Sequence, residues 1–219
     1  MKSIERIIEE HVKRWQYLSQ KPKDAKPPIS VITVSREPGS GGMLVAKALA
    51  QTCGFDLYHK EVINEIAKNV NISSRLMETL DEKGMNVIHE YISAIVHHAH
   101  LWPDGYLRQL MEVIGAIGEH GQAVIVGRGA NFVLPPERRF RVRIVAPREF
   151  RIKRVASDHG VSKNEALRRI IRTNSQRKAF IRKYFNANIE DPLHYDMVLN
   201  TSTMSIEKAA NAVCAAIRS

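Results

Sequence analysis

The stretch ISVITVSREPGSGGMLVAKALAQTCG, residues 29–54, decides how this chain folds. Its first six residues are mostly β-branched and apolar, which is typical of a buried strand. Three glycines follow in a short turn, and the apolar residues after them recur at helical spacing as far as Gly54, a predicted helix C-cap. A strand, a glycine-rich loop and a helix in this order predict the opening of a βαβ unit.

The loop between this strand and this helix has the position and length of a phosphate-binding loop. The N–H groups at a helix N-terminus point toward a bound anion, and glycines let the backbone curl around phosphate oxygens. A glycine-rich turn that binds no ligand is the structural alternative. The residues predicted to bind the phosphates of a nucleotide are Gly39, Ser40, Gly41, Gly42 and Met43.

The same loop departs from the usual GxxxxGK[ST] pattern at three positions. When the two are aligned on Gly41, Arg36 replaces the first glycine. Gly42 then replaces the lysine, and Met43 replaces the hydroxyl residue. That lysine normally bridges the β- and γ-phosphates, and the hydroxyl helps to hold Mg²⁺. Another residue must therefore supply the charge, and the candidates are Arg36, Arg148 or an arginine of the basic helical stretch at 162–185.

The rest of the domain alternates helical patterns with short apolar strands. Strands are predicted at 123–127, 141–146 and 195–202. Helices are predicted through most of 60–119, from Pro147 as a first-turn proline, at 162–185 behind a Ser162–Glu165 capping box, and at 205–217 behind Ser205 as N-cap. Strands separated by helices predict a parallel sheet that is covered on both faces.

Residues 2–20 form a predicted amphipathic helix that precedes this domain. Its apolar residues recur at helical spacing, and a proline- and charge-rich linker follows at 21–28. We expect the helix to pack against its own domain or against a second subunit, which would make the protein a homo-oligomer. A membrane-surface helix is the weaker alternative, because the polar face carries charges of both signs.

The composition is that of an ordinary globular protein. Of the 219 residues, 44% are hydrophobic and 26% charged, which suffices for a real core. No apolar stretch approaches the roughly 20 residues of a membrane helix, and acids occupy the place of a signal peptide's apolar region. Cys53 and Cys214 lie far apart and form no CxxC motif, which disfavours a disulfide or a thiolate zinc site. These features predict a soluble, reduced, cytoplasmic protein without a membrane partner.

The charge balance favours anionic partners. The chain has 33 lysines and arginines against 23 acids, a formal net charge of +10. The basic residues concentrate in the helical stretch at 162–185 and have no aromatic-rich stacking motif beside them, so nucleotides are favoured over nucleic acid. His97 and His100 share a predicted helical face, but they have no acid or cysteine at ligand spacing, so no metal site is predicted.

Four segments, in this order, resemble the cytidylate kinase-like family of P-loop proteins: ITVSREPGSGGMLVAKALA, FDLYHKEVI, VIVGRGANFVL and YDMVLNTSTMSIE. The resemblance implies an α/β P-loop NTPase fold of three layers, built on a parallel sheet. It also implies a helical monophosphate-binding insertion at about 60–120 and a basic helical lid at about 160–190. The chain would then divide into an N-terminal helix with linker, 1–28, and a kinase-like domain, 29–219.

The resemblance also implies roles for single residues. In cytidylate kinases an arginine in a GR motif contacts the nucleoside monophosphate, and Arg128 in the motif GRG matches it. The lid motif D-x-x-R is matched by Asn174 and Arg177, and the amide in place of the acid leaves the substrate preference open. Asp56, at the start of the insertion near the predicted carboxyl edge of the sheet, is a candidate for orienting substrate with its hydrated Mg²⁺. The sequence favours an exposed turn acid over this role for Asp56.

The implied function is transfer of the γ-phosphoryl group of ATP, with Mg²⁺, to a nucleoside monophosphate such as CMP or dCMP. Such transfer depends mainly on positioning and charge neutralisation, which makes Arg36, Arg177 and Arg148 the catalytic candidates. The alternative is a regulatory module of the same fold that binds nucleotide without turning it over. The missing lysine, the missing hydroxyl and Asn174 favour that alternative.

Overall fold

A parallel five-stranded sheet forms the centre of the computed structural model, which describes residues 4–19, 29–99 and 105–218. The strands are β1 (Val31–Arg36), β2 (Asp56–Tyr58), β3 (Ala123–Val126), β4 (Arg139–Val145) and β5 (Met197–Asn200). They lie in the order β2-β3-β1-β4-β5, and every neighbouring pair is parallel. The predicted parallel sheet is confirmed, whereas β2 is a strand that the sequence patterns did not predict.

The helices connect successive strands and cover the sheet. They are α1 (Ile4–Ser19), α2 (Gly42–Cys53), α3 (Lys60–Lys68), α4 (Val70–Met77), α5 (Glu82–Ala99), α6 (Gly105–His120), α7 (Ala130–Val133), α8 (Arg148–His159), α9 (Lys163–Phe185) and α10 (Ile206–Ala216). Short 3₁₀ turns lie at Pro136–Arg138 and Pro192–His194. The mostly helical section predicted at 60–119 is therefore α3 to α6, and the basic stretch is α9.

The predicted helix ends are largely confirmed. Gly54 caps α2 in the left-handed conformation, with φ 67°. The Ser162 hydroxyl accepts from the backbone N–H of Glu165, and Ser205 caps α10 in the same way. Pro147 lies at the N-cap of α8 and not within its first turn. The predicted linker at 21–28, His100 and the side chain of His97 lie outside the described residues.

Two apolar cores lie on opposite faces of the sheet. Because side chains alternate along a strand, Val31 joins the core formed with α3 to α7. Its neighbours Ile32 and Val34 join the core formed with α2 and α10. Burial on both faces explains why β3, with the sequence AVIV, is apolar throughout.

Helix α1 packs against its own chain. Trp15 is only 3% exposed, and its ring stacks on His120 at 4.5 Å and lies 5.9 Å from the ring of Tyr58. Arg14 Nη1 donates to both carboxylate oxygens of Asp56 at 3.0 Å. These contacts attach the helix near the amino end of β2.

A disulfide joins the two cysteines, and the prediction of unpaired, reduced cysteines is therefore wrong. Cys53 ends α2, Cys214 lies in α10, and their Cα atoms are 6.3 Å apart. The two helices pack side by side on one face of the sheet, which brings together residues that are 161 positions apart.

In the described part of the chain, no helix has both the length and the apolarity needed to cross a bilayer.

We predict that reducing this disulfide destabilises the protein. Closing a long loop stabilises a native fold by about 2–4 kcal/mol, which corresponds here to a fall of about 5–15 °C in Tm on reduction. Thermal unfolding with and without reductant measures the change, and mass spectrometry after alkylation counts the thiols. The double variant Cys53→Ala/Cys214→Ala is the control, since its Tm should not respond to reductant. An equal response in both proteins would contradict the prediction.

Candidate functional site

The glycine loop joins the carboxyl end of β1 to the first turn of α2. Gly39 and Gly41 have φ values of 80° and 74°, a left-handed conformation that favours glycine. A Cβ at Gly39 would lie 2.7 Å from the backbone oxygen of Arg151, so α8 closes one side of the loop. The loop is therefore held in a fixed shape at the start of a helix, where the first N–H groups have no partner within the helix.

Arg36 occupies the space that a side chain at Gly42 would need. A Cβ at Gly42 would overlap the Cβ of Arg36, the last residue of β1. A lysine at position 42 is therefore excluded as long as Arg36 keeps this place. This packing gives a physical reason for the loop's departure from the lysine pattern.

Two predicted loop residues turn their side chains into the protein. The Ser40 hydroxyl donates to the backbone oxygens of Glu37 (2.9 Å) and Ile144 (3.2 Å), and Thr201 donates to the Ser40 backbone oxygen at 2.5 Å. Met43 packs against the core between the sheet and α2. Ser40 is fully buried and its backbone N–H already donates to the Glu37 oxygen at 3.2 Å, so Ser40 shapes the loop and does not face a ligand.

A cavity of about 300 Å³ opens beside the loop, between the carboxyl ends of β1 and β3 and helix α9. Its cationic lining residues are Arg36, Lys60, Arg128 and Arg177. The described residues that line it include no aspartate or glutamate. A cavity with this lining selects an anion.

The guanidinium groups of this cavity are packed close together. Arg177 Nη1 donates to the backbone oxygen of Arg36 at 2.7 Å. Burial, together with the charges of Arg177 and Arg128, lowers the pKa of Arg36 to about 9, although Glu61 partly offsets the effect. Burial and Arg143 lower the pKa of Arg177 to about 10. Both residues stay charged at neutral pH, and an anion in the cavity would reduce the repulsion that Arg36 experiences.

The motif GRG presents Arg128 through an unusual backbone. Gly127, Arg128 and Gly129 have φ values of 79°, 56° and 71°, three left-handed residues in succession. A non-glycine residue in this conformation costs of order 1 kcal/mol or more, and such residues cluster at functional sites. Arg128 Nε is buried without a hydrogen-bond partner among the described residues, and the guanidinium lies 5.8 Å from the ring centre of Phe180. The predicted monophosphate arginine thus lies in the cavity.

Three predicted site residues lie elsewhere. Asp56 begins β2 and pairs with Ala123, the first residue of β3, so it lies at the amino edge of the sheet. The expectation that it lies near the carboxyl edge is therefore wrong, and its carboxylate accepts hydrogen bonds from Arg14. Arg148 is exposed at the first turn of α8 and does not line the cavity, and neither does Asn174.

Two arginines of the site were not predicted. Arg154 of α8 lies over the loop, where a Cβ at Gly41 would overlap its Nη1. That nitrogen is buried and has no hydrogen-bond partner in the described part of the chain. Arg143 of β4 is 5% exposed and donates to the hydroxyls of Ser35 (3.0 Å) and Tyr195 (3.3 Å) beside the cavity. Helical phase could have indicated Arg154, because it lies three residues after Arg151 on the side of α8 that faces the loop.

We predict that Arg36→Met raises the stability of the unliganded protein and weakens its response to anions. A buried arginine with a lowered pKa destabilises the folded state below that pKa, because the unfolded chain holds the same proton at less cost. Methionine keeps an unbranched side chain at this position without the charge. We expect a rise of about 2–5 °C in Tm, of the order produced by 1 kcal/mol.

Thermal unfolding with and without inorganic phosphate measures both effects. Phosphate should raise the Tm of the wild type and raise that of Arg36→Met less, because Lys60, Arg128 and Arg177 remain in the cavity. The exposed Arg172→Met is the matched control, since it removes one positive charge from α9 outside the cavity and should respond to phosphate like the wild type. A destabilised Arg36→Met that responds to phosphate as strongly as the wild type would disprove the assignment.

Comparisons with known proteins agree with this geometry. The model of the cytidylate kinase-like family matches residues 31–203. The cytidylate kinase of Methanocaldococcus jannaschii is 26% identical over 195 residues, which cover 85% of this chain and 97% of that protein. The cytidylate kinase of Pyrococcus horikoshii is 28% identical over 188 residues, which cover 85% and 88%. The solved structure of an uncharacterized protein from Eubacterium ventriosum is 25% identical with a TM-score of 0.65, and the match covers 86% of this chain and 98% of that one.

Proposed function

This chain belongs to the cytidylate kinase-like family and has a P-loop α/β fold, and from this premise we propose that it transfers the γ-phosphoryl group of ATP to a nucleoside monophosphate such as CMP or dCMP. The observation that carries the proposal is the convergence of Arg36, Arg128 and Arg177 in one cavity beside the glycine loop. The position agrees with the rule that open α/β sheets bind ligands outside the carboxyl ends of their strands.

The donor side consists of the loop and the first turn of α2. Backbone N–H groups and the helix dipole favour the phosphates of ATP there. Arg154 lies over the loop on one side, and Arg36 packs under Gly42 on the side of the cavity. We infer that these two arginines together take over the charge that the lysine supplies in other loops, so that Arg148 is not needed for it.

The acceptor side consists of the cavity. A phosphate monoester carries two negative charges near neutral pH, and guanidinium groups bind its oxygens through paired hydrogen bonds. Arg128 and Arg177 would hold that phosphate, while Arg36 lies between it and the loop. The phosphoryl group would thus pass between fixed positive charges, which is most of what this reaction requires of a protein.

ATP with Mg²⁺ is the donor that the family implies, and the loop offers few ligands to the ion. The hydroxyl position is taken by Met43, which packs into the core. The Glu37 carboxylate already accepts from the Ala146 backbone N–H at 3.1 Å and lies 3.4 Å from Arg151 Nε. Mg²⁺ prefers phosphate and water oxygens, so we propose that it enters with the phosphates of ATP and that the protein contributes cations.

The decisive experiment measures ADP release from ATP and Mg²⁺ against a panel of nucleoside monophosphates, with a control that lacks any acceptor. We expect CMP or dCMP to accelerate release well above the control, because the cavity beside the loop holds the acceptor's phosphate. If the panel stays flat at high enzyme concentration while ATP still binds, the chain is a nucleotide-binding regulatory module and the kinase proposal fails.

We predict that Arg154→Ala weakens the use of ATP and that Arg148→Ala does not. A charge-assisted hydrogen bond to phosphate contributes about 1.5–3 kcal/mol, so kcat/KM for ATP should fall about 10- to 100-fold when Arg154 is removed. Arg148→Ala is the matched control, as it removes the same charge from the exposed first turn of the same helix. Steady-state kinetics at saturating acceptor compare the two variants. An equal loss in both, or a larger loss for Arg148→Ala, would contradict the assignment of Arg154.

A further inference from the structure

The cavity contains a buried hydrogen-bond donor that none of the described residues satisfies. Asn131 lies in α7, two residues after the GRG motif, and is 7% exposed. It lines the cavity, and its Nδ2 is buried with no hydrogen-bond partner among the described residues. An unpaired amide donor in a protein interior costs about 1–3 kcal/mol, and nearly all buried polar groups avoid it. A donor left unpaired at a cavity wall indicates that a ligand completes the bond.

The remaining lining shows which part of a ligand this donor would meet. The positive charges account for an anionic group, but the cavity also has a neutral portion. Thr173 and Gln176 of α9 add uncharged hydrogen-bonding groups, and Phe180, Ile181 and Ile189 add apolar surface. Inorganic phosphate would leave these neutral and apolar lining residues without a partner. A molecule that combines a phosphate with a neutral, partly apolar body would contact them.

The backbone explains why Asn131 reaches the cavity. The three left-handed residues at Gly127–Gly129 turn the chain sharply out of β3 and into α7. Asn131 and Arg128 therefore lie within one turn of each other, and both line the cavity with an unpaired buried nitrogen. The left-handed backbone at Gly127–Gly129 therefore directs both Arg128 and Asn131 to the cavity.

We propose that Asn131 determines which acceptor the site takes. Its Nδ2 donates a hydrogen bond to an oxygen or ring nitrogen on the neutral body of the substrate, while the arginines hold the phosphate. The inference rests on the proposed function, since it takes the acceptor to be a nucleoside monophosphate. The bond acceptor belongs to the base or to the sugar, and ribose 5-phosphate, which has the sugar and no base, distinguishes the two.

The test measures the binding of CMP, ribose 5-phosphate and inorganic phosphate by titration calorimetry. The proteins are the wild type, Asn131→Leu, which has a similar shape without the donor, and the control Asn211→Leu on an exposed position of α10. Asn131→Leu should lower the affinity for CMP about tenfold, the equivalent of one neutral hydrogen bond. It should leave the affinity for inorganic phosphate within about twofold of the wild-type value. If the affinity for ribose 5-phosphate falls by the same factor, the partner of Asn131 is the sugar. If only the affinity for CMP falls, the partner is the base.

A second readout separates this role from a structural one. Because Leu removes an unsatisfied donor and keeps the volume, the unliganded Asn131→Leu should have a Tm equal to or above that of the wild type. Unchanged affinity for CMP, or a parallel loss for inorganic phosphate, would overturn the proposal for Asn131. If the wild type binds no nucleoside monophosphate at all, the proposed function fails. A lowered Tm of Asn131→Leu would overturn the inference independently, because it would show that the amide stabilises the fold.

Discussion

The contact between Arg36 and the glycine loop is the constraint around which the site is arranged. Because the Cβ of Arg36 fills the space beside Gly42, the loop cannot carry a side chain at the position where related loops carry lysine. Under the proposed function, the charge would come from the end of a strand and not from the loop itself. The planar guanidinium of Arg36 presents its donors in a fixed arrangement, so it loses less freedom for each hydrogen bond than a lysine does. The second arginine, Arg154, approaches the loop from the opposite side.

Cationic side chains are concentrated at the carboxyl edge of the sheet. There the charges of Arg36 and Arg177 repel their neighbours, and buried nitrogens of Arg128, Asn131 and Arg154 lack partners among the described residues. At the amino edge, Arg14 pairs with Asp56 and Trp15 stacks on His120, although Arg139 Nε is also buried there without a partner among the described residues. Proteins hold unfavourable groups together only where the surrounding structure fixes them, and a binding site is the usual reason.

Local patterns in the sequence predicted the local parts of this structure. The strand–loop–helix at 29–54 and the caps at Gly54, Ser162 and Ser205 each depend on residues only a few positions apart. The three-residue strand β2 is too short to show a pattern, and without it the edge of the sheet on which Asp56 lies cannot be known. The disulfide depends on the packing of α2 against α10 across 161 residues, for which local spacing carries no signal.

Helical phase accounts for the difference between the two arginines of α8. Arg148 and Arg154 are six residues apart, which places them on different sides of α8, and only Arg154 faces the loop. Helical phase does not account for Asn174 of α9, which does not line the cavity although Arg177, three residues later on the same face, does.

Arg36 connects the two halves of the site energetically. Its stem packs against the loop that would hold the donor, and its guanidinium lines the cavity that would hold the acceptor. Under the proposed function, an anion in the cavity would relieve the repulsion that Arg128 and Arg177 exert on Arg36. If that relief also strengthens the binding of phosphates in the loop, those phosphates must strengthen the binding of the anion to the same degree, because linkage is reciprocal. The proposed function would then couple the binding of donor and acceptor through Arg36, which touches both halves of the site.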